Sequence, residues 1–258
     1  MNKKMIVLSL LAGLVVFTLA CTATPNQAWD GGSTSGIELR RGNGNSGGAA
    51  SSGAQGYEQE GAGGQGANIS QYLPVATGNL SDEEAQGLLY MREEEKMARD
   101  LYNAFYATWG LPVFQNIAAS EQIHMDAIKI LLDRYGLTDP AQAQPGVFSD
   151  ADLQALYDQL LASGNLSLEN AIKAGGAVEE VDILDLQARI ELTDQADILK
   201  VYGSLERGSE NHLRAFVRTL VRQTGETYQP QYLSPEAFQA ILYGASQGGG
   251  RRSPSNQP

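Results

Sequence analysis

Apolar residues recur at helical spacing along four long stretches of the chain, and each stripe has polar side chains set into it. In the first stretch Leu88, Met91, Ala98, Tyr102 and Phe105 align at steps of three and four once Glu95 is counted among them. In the second, Ile117, Ile128, Leu131 and Tyr135 share a face with Glu121 and His124. The third stripe is Ile172, Gly176, Glu179, Ile183, Leu186 and Ile190, and the fourth is Ile198, Tyr202, Leu205, Ser209, His212, Phe216 and Leu220. The pattern predicts helices from Ser81 to about Thr108, Val113 to Tyr135, Ser167 to about Leu192, and Thr193 or Asp194 to about Gln223. Two shorter helices are predicted, from Ser149 or Asp150 to about Leu161 and from Pro235 to Tyr243. Ser81 with Glu84 reads as a capping box. Gly175-Gly176 inside the third long helix implies either a closely packed neighbour or a local kink.

Residue positions around each helix sort the acids. Glu93 and Glu94 fall about 200° and 100° from Glu95, which places them on solvated faces. Glu179 lies about 24° from the mean direction of its apolar companions, whereas Glu180 and Asp182 lie about 76° and 84° away. Periodicity therefore favours Glu179 as the inward acid, with Glu180 and Asp182 as alternates.

The ends of the chain have a different composition. Residues 1–21 carry Lys3 and Lys4, an apolar run and Ala20-Cys21, the layout of an export signal that is too short to span a membrane. Cys21 is the only cysteine, which excludes an internal disulfide. Its place resembles the lipobox of bacterial lipoproteins, which implies acylation of Cys21 and a tether to the outer face of a membrane. Ordinary cleavage, leaving a secreted or periplasmic protein, is the other reading. Residues 22–78 are rich in Gly, Ser, Ala, Gln and Asn and read as a disordered tether, as do residues 246–258. The folded domain is thus predicted at 79–245. The signal contributes +2, the tether −2 and the tail +2 to a net charge of −12, so the domain itself carries −14. Such a surface excludes nucleic acid as a partner.

Burying unpaired carboxylates is costly, so the stripes call for something that satisfies them. Glu95, Glu121, His124, Glu179 and His212 would meet if the four stripes converge, and both histidines of the chain are among them. Carboxylate with imidazole suits iron first, and also manganese or zinc. A buried Glu–His pair can also be purely structural.

The layout of one Glu from each of two helices with Glu-x-x-His from the others is that of ferritin-like di-metal carboxylate proteins, and the chain resembles them. Glu95, Ala98 and Tyr102 resemble the Glu-x-x-Ala-x-x-x-Tyr pattern of rubrerythrin-like proteins, and Glu121-Gln122-Ile123-His124 matches the second-helix motif. The fourth helix departs from it, with Ser209-Glu210-Asn211-His212 where Glu-x-x-His is expected. Segments 93–102, 179–186 and 208–216 together resemble an uncharacterised ferritin-like family of prokaryotes. The resemblance implies an all-α, ferritin-like four-helix bundle with extra short helices. Three functions fit: an iron-dependent oxidase, ferroxidase or peroxide-reducing enzyme; a non-catalytic metal-binding or scavenging protein; and a tethered protein-interaction module without metal. With no Cys-x-x-Cys pair, a redox role requires an external electron donor. Oligomeric state has no signature here.

Overall fold

The computed structural model describes residues 73–76 and 78–244, and these are helical with no strand. Six helices follow in order: α1 (Asp82–Trp109), α2 (Pro112–Tyr135), α3 (Ala151–Gly164), α4 (Leu168–Ile190), α5 (Ala196–Thr224) and α6 (Pro235–Gly244). The export signal, Cys21, the C-terminal tail and most of the tether lie outside the described residues. No described helix is long and apolar enough to cross a membrane. Residues 73–76, assigned to the tether from composition, touch the helices: Leu73 packs on apolar side chains and the Pro74 carbonyl accepts from Arg134 Nη1 at 2.6 Å.

The helix ends follow local chemistry. Ser81 Oγ accepts from the Glu84 N–H at 3.1 Å while Glu84 Oε2 accepts from the Ser81 N–H at 2.8 Å. Gly110, at φ 63°, and Gly136, at φ 68°, end α1 and α2 in the left-handed region that disfavours other residues. Asp150 caps α3 and Ser167 caps α4. The start of α5 differs from expectation. Thr193 Oγ1 accepts from the Gln195 N–H at 3.1 Å, and the helix begins at Ala196 without a side-chain cap.

α1 packs on α2, α4 on α5, α2 on α5 and α1 on α4; α3 lies against α1 and α4, and α6 against α5. Two apolar clusters result. Phe105, Phe114, Ile172 and Phe216 belong to one, and Leu88, Ile128, Leu186 and Leu205 to the other. Each such fully buried side chain contributes about 1.5–3 kcal/mol. On α1, α2 and α5 the polar stripe residues fall at the changeover from one cluster to the other.

Gly175 and Gly176 are explained by close packing. A Cβ on Gly175 would meet Phe216 Cε1 at 2.6 Å, and one on Gly176 would meet Tyr228 Cε2 at 2.6 Å. α4 runs unbroken through both.

The outer face of α1 contradicts the solvated placement of Glu93 and Glu94. Both are buried, because the 136–150 connection and α4 cover them. Glu93 accepts from the Ser149 and Asp150 N–H groups at 2.7 and 2.9 Å. Arg92 binds Asp139 through both carboxylate oxygens. Lys96 Nζ donates to Asp100 at 2.7 Å and to the Gln144 and Val147 carbonyls, and Asp100 accepts from the Gly146 N–H. Four polar residues of one helix therefore hold a connection that has few apolar anchors of its own.

Candidate metal centre

Glu95, Glu121, His124, Glu179 and His212 come together between α1, α2, α4 and α5. They form two sets, each with its ligand atoms within 4.8 Å of one another: Glu95, Glu121 and His124, and Glu121, Glu179 and His212. Glu121 belongs to both. Its Oε2 lies 2.7 Å from His124 Nδ1 and its Oε1 lies 2.8 Å from His212 Nδ1. Glu95 Oε2 is 3.3 Å from His124 Nδ1, and Glu179 Oε2 is 3.4 Å from His212 Nδ1. The two imidazoles stack at 5.5 Å between centroids.

His124 Nδ1 and Glu95 Oε2 are in hydrogen-bond contact, but other atoms of the cluster are not satisfied. Although His212 Nδ1 and Glu121 Oε1 are close, neither atom has a hydrogen-bond partner, and Glu95 Oε1 is also buried without one. Leaving such groups unpaired costs about 1–3 kcal/mol each. A cation among them would supply the missing partner, and carboxylate oxygen with imidazole nitrogen is a donor set suited to iron, manganese or zinc. The residues present thus fit a metal.

Surrounding residues fix the set. Tyr102 Oη donates to Glu179 Oε1 at 2.5 Å, which orients that carboxylate. Ser120 Oγ lies 3.0 Å from His212 Nε2. When the neutral ring keeps its proton on Nε2 toward Ser120, Nδ1 is the nitrogen left to face the acids. Gly208 of α5 makes room for the other imidazole, since a Cβ there would sit 2.6 Å from His124 Cε1 and Nε2. The side chains of Glu95, Glu121 and Glu179 are 2% exposed and those of His124 and His212 11%, so the site is least buried at its histidines.

Burial and mutual charge shift the protonation of these groups. Burial pushes Glu95 up to about 7, against the pull of His124. For Glu121 burial acts upward, but the charges of His212 and His124 outweigh it and hold the carboxyl below its usual range. Burial disfavours charge on His212, yet Glu121 and Glu179 raise it to about 10. Glu179 is raised by burial and by the charge of Glu121.

A model of the uncharacterized protein domain family DUF2202 matches residues 84–245. The chain belongs to this family. Among its relatives is uncharacterized protein MJ0754 of Methanocaldococcus jannaschii, 46% identical over 174 residues that span 67% of this chain and 94% of that protein. The crystal structure of hypothetical protein MJ0754 from Methanococcus jannaschii matches at TM-score 0.63 and 46% identity, covering 66% of this chain and 97% of that one. The DUF2202 match spans all five inward residues.

The two alternates on α4 have different surroundings in this DUF2202 domain. Glu180 accepts from Tyr228 Oη at 2.7 Å and from the N–H groups of Gln231, Tyr232 and Leu233 at 2.9, 2.8 and 2.8 Å. Its carboxylate is committed to the loop after α5. Asp182 is buried beside the cluster and accepts from Ser209. Glu206 and Glu210, about 120° and 160° from His212 around α5, pair with Gln187 and Arg214. Gly208 and Ser120 escaped the sequence reading. Neither is apolar, charged or a metal ligand, and the one available signal was the Gly-Ser pair just before the fourth-helix histidine.

Proposed function

We propose that this chain is a ferritin-like four-helix bundle that binds two divalent transition-metal ions and uses them in redox chemistry. The observation that carries the reading is Glu121, which faces two separate ligand sets through its two carboxylate oxygens. A single Glu between two imidazoles, each flanked by a further acid, is the arrangement expected of a bridged pair of metals. The donor set suits iron, manganese or zinc, and the resemblance to ferritin-like di-metal carboxylate proteins favours iron. Bound iron would supply one-electron chemistry toward oxygen or peroxide, as an oxidase, ferroxidase or peroxide-reducing protein.

The chain's own residues position and insulate. Tyr102 orients Glu179, Ser120 sets the ring of His212, and burial of the acids keeps water from competing for them. The electron donor is external, because the chain has a single cysteine and no second redox group of its own kind. The signal-like residues 1–21 and Cys21 support export and a lipid anchor at the cell envelope.

The test is metal content of the full chain purified without oxygen, beside a His124→Ala, His212→Ala double variant. The expected result is two metals per chain in the parent, lost in the variant, and oxidation of added ferrous ion with uptake of oxygen. Metal bound without any turnover of oxygen or peroxide would refute the redox assignment and leave a metal-binding protein. A parent that takes up none of ferrous, manganous or zinc ion would overturn the metal reading, leaving a polar core within an interaction module.

A further inference from the structure

A fourth carboxylate, Asp182, lies one helical turn from Glu179 on α4 and contacts the α5 residue one turn before His212. Position 209, three residues before His212, carries serine where a Glu-x-x-His helix would carry its acid. Ser209 is fully buried, and its Oγ bonds Asp182 Oδ2 from α4 while lying 3.0 Å from the Leu205 carbonyl. Asp182 is itself 6% exposed, and its second oxygen, Oδ1, is buried with no hydrogen-bond partner. One oxygen is thus held by α5 and the other is left over. Beyond burial, the charges that act on this carboxyl most strongly include those of Glu95, Glu179 and Glu121, the three acids of the two sets.

We propose that Asp182, oriented by Ser209, supplies the fourth carboxylate of the metal centre, in the place of the acid missing from α5. The inference rests on the metal reading above. Charge makes the case independently of the position match. Two divalent ions carry four positive charges, and Glu95, Glu121 and Glu179 offset three. In a buried site the residual charge is expensive, and Asp182 removes it. The acid would come from α4 rather than from α5, its tightly packed neighbour, and the short serine leaves the space that the aspartate enters. Ser209 is the positioning residue: its hydroxyl fixes one carboxylate oxygen and leaves Oδ1 for the metal.

The experiment measures metals per chain and affinity for manganous and cobaltous ions on the full chain. It compares the parent with Asp182→Asn, Asp182→Ala and the exchange variant Asp182→Ala, Ser209→Glu. Apo thermal unfolding checks folding, and the cobalt absorption spectrum reports coordination. The expected result is that Asp182→Asn, nearly isosteric, loses one of the two ions or binds it at least 100-fold more weakly. The exchange variant, which returns the acid to α5, recovers two ions and the parent cobalt spectrum. A purely structural Asp182 would shift unfolding in the variants without moving stoichiometry. Two ions bound by Asp182→Asn at parental affinity would overturn the proposal while leaving the five-residue centre standing. A parent that binds no metal would instead remove the centre itself, and this inference with it.

Discussion

Gly208→Ala tests the centre through a residue that is not a ligand. The added methyl would sit 2.6 Å from His124 Cε1 and Nε2, against about 3.4 Å for ordinary contact. The imidazole must retreat about 0.8 Å or turn, because the methyl is fixed to the α5 backbone. Metal–ligand distances tolerate deviations of about 0.2 Å, so the Glu95, Glu121 and His124 set should lose its ion or hold it at least about 100-fold more weakly. Stability of the apo protein is a separate readout. Gly to Ala within a helix gains about 0.5–1 kcal/mol, and overpacking costs about 1–3 kcal/mol, so the net change lies between neutral and roughly 2.5 kcal/mol destabilising. The assay pairs calorimetric titration with manganous ion and urea unfolding of the apo protein. Gly176→Ala is the control: its methyl meets Tyr228 at 2.6 Å, so it should lose stability while binding metal normally. Unchanged stoichiometry and affinity in Gly208→Ala would refute the reasoning.

Other expected outcomes concern stability. Glu180→Ala strands three backbone N–H groups and the Tyr228 hydroxyl; urea unfolding should show a loss of roughly 3–5 kcal/mol, and metal content should not change. Lys96→Met removes the cation that bonds Asp100 and two carbonyls of the 136–150 connection. A loss of about 3 kcal/mol is expected, the low end for a broken buried pair, because Arg99 and Gly146 still bind Asp100. For Asp139, burial acts upward but the Arg92 hydrogen bonds and the Ala141 N–H hold the carboxyl below its ordinary 3.8. A depressed acid stabilises above its unfolded value and loses that contribution as pH falls through the folded one. Asp139→Asn should therefore be less stable than the parent at neutral pH, with the gap closing in unfolding curves taken progressively below pH 4.

The inward face of each long helix was legible because apolar periodicity reports burial against a neighbouring helix. Glu95, Glu121, His124, Glu179 and His212 stood out as polar residues in that register, and the structure brings their ligand atoms together. Periodicity is blind to burial by other means. Glu93, Lys96 and Asp100 are covered by a connection held largely through ion pairs and backbone hydrogen bonds, which do not recur at helical spacing in the sequence. Glu180 was weighed by its angle alone, and the loop that captures it lies about 50 residues further on. Asp182 sat too far from the stripe to rank beside Glu179. Only its contact with Ser209, across to another helix, gives it a place at the cluster.

Three consecutive glutamates on α1, all buried, point in three directions. Glu93 receives the start of α3, Glu94 lies buried against Asp185 and Asp182, and Glu95 faces His124. Each successive residue turns by about 100°. A single residue inserted or deleted just before Glu93 would keep α1 helical, yet would turn every one of these acids by about 100° relative to the preceding turns of the helix. The chain tolerates no frame drift there. Length variation among members of the family should therefore collect outside α1, in the connection after α2 or beyond α5, and be absent between Leu88 and Tyr102.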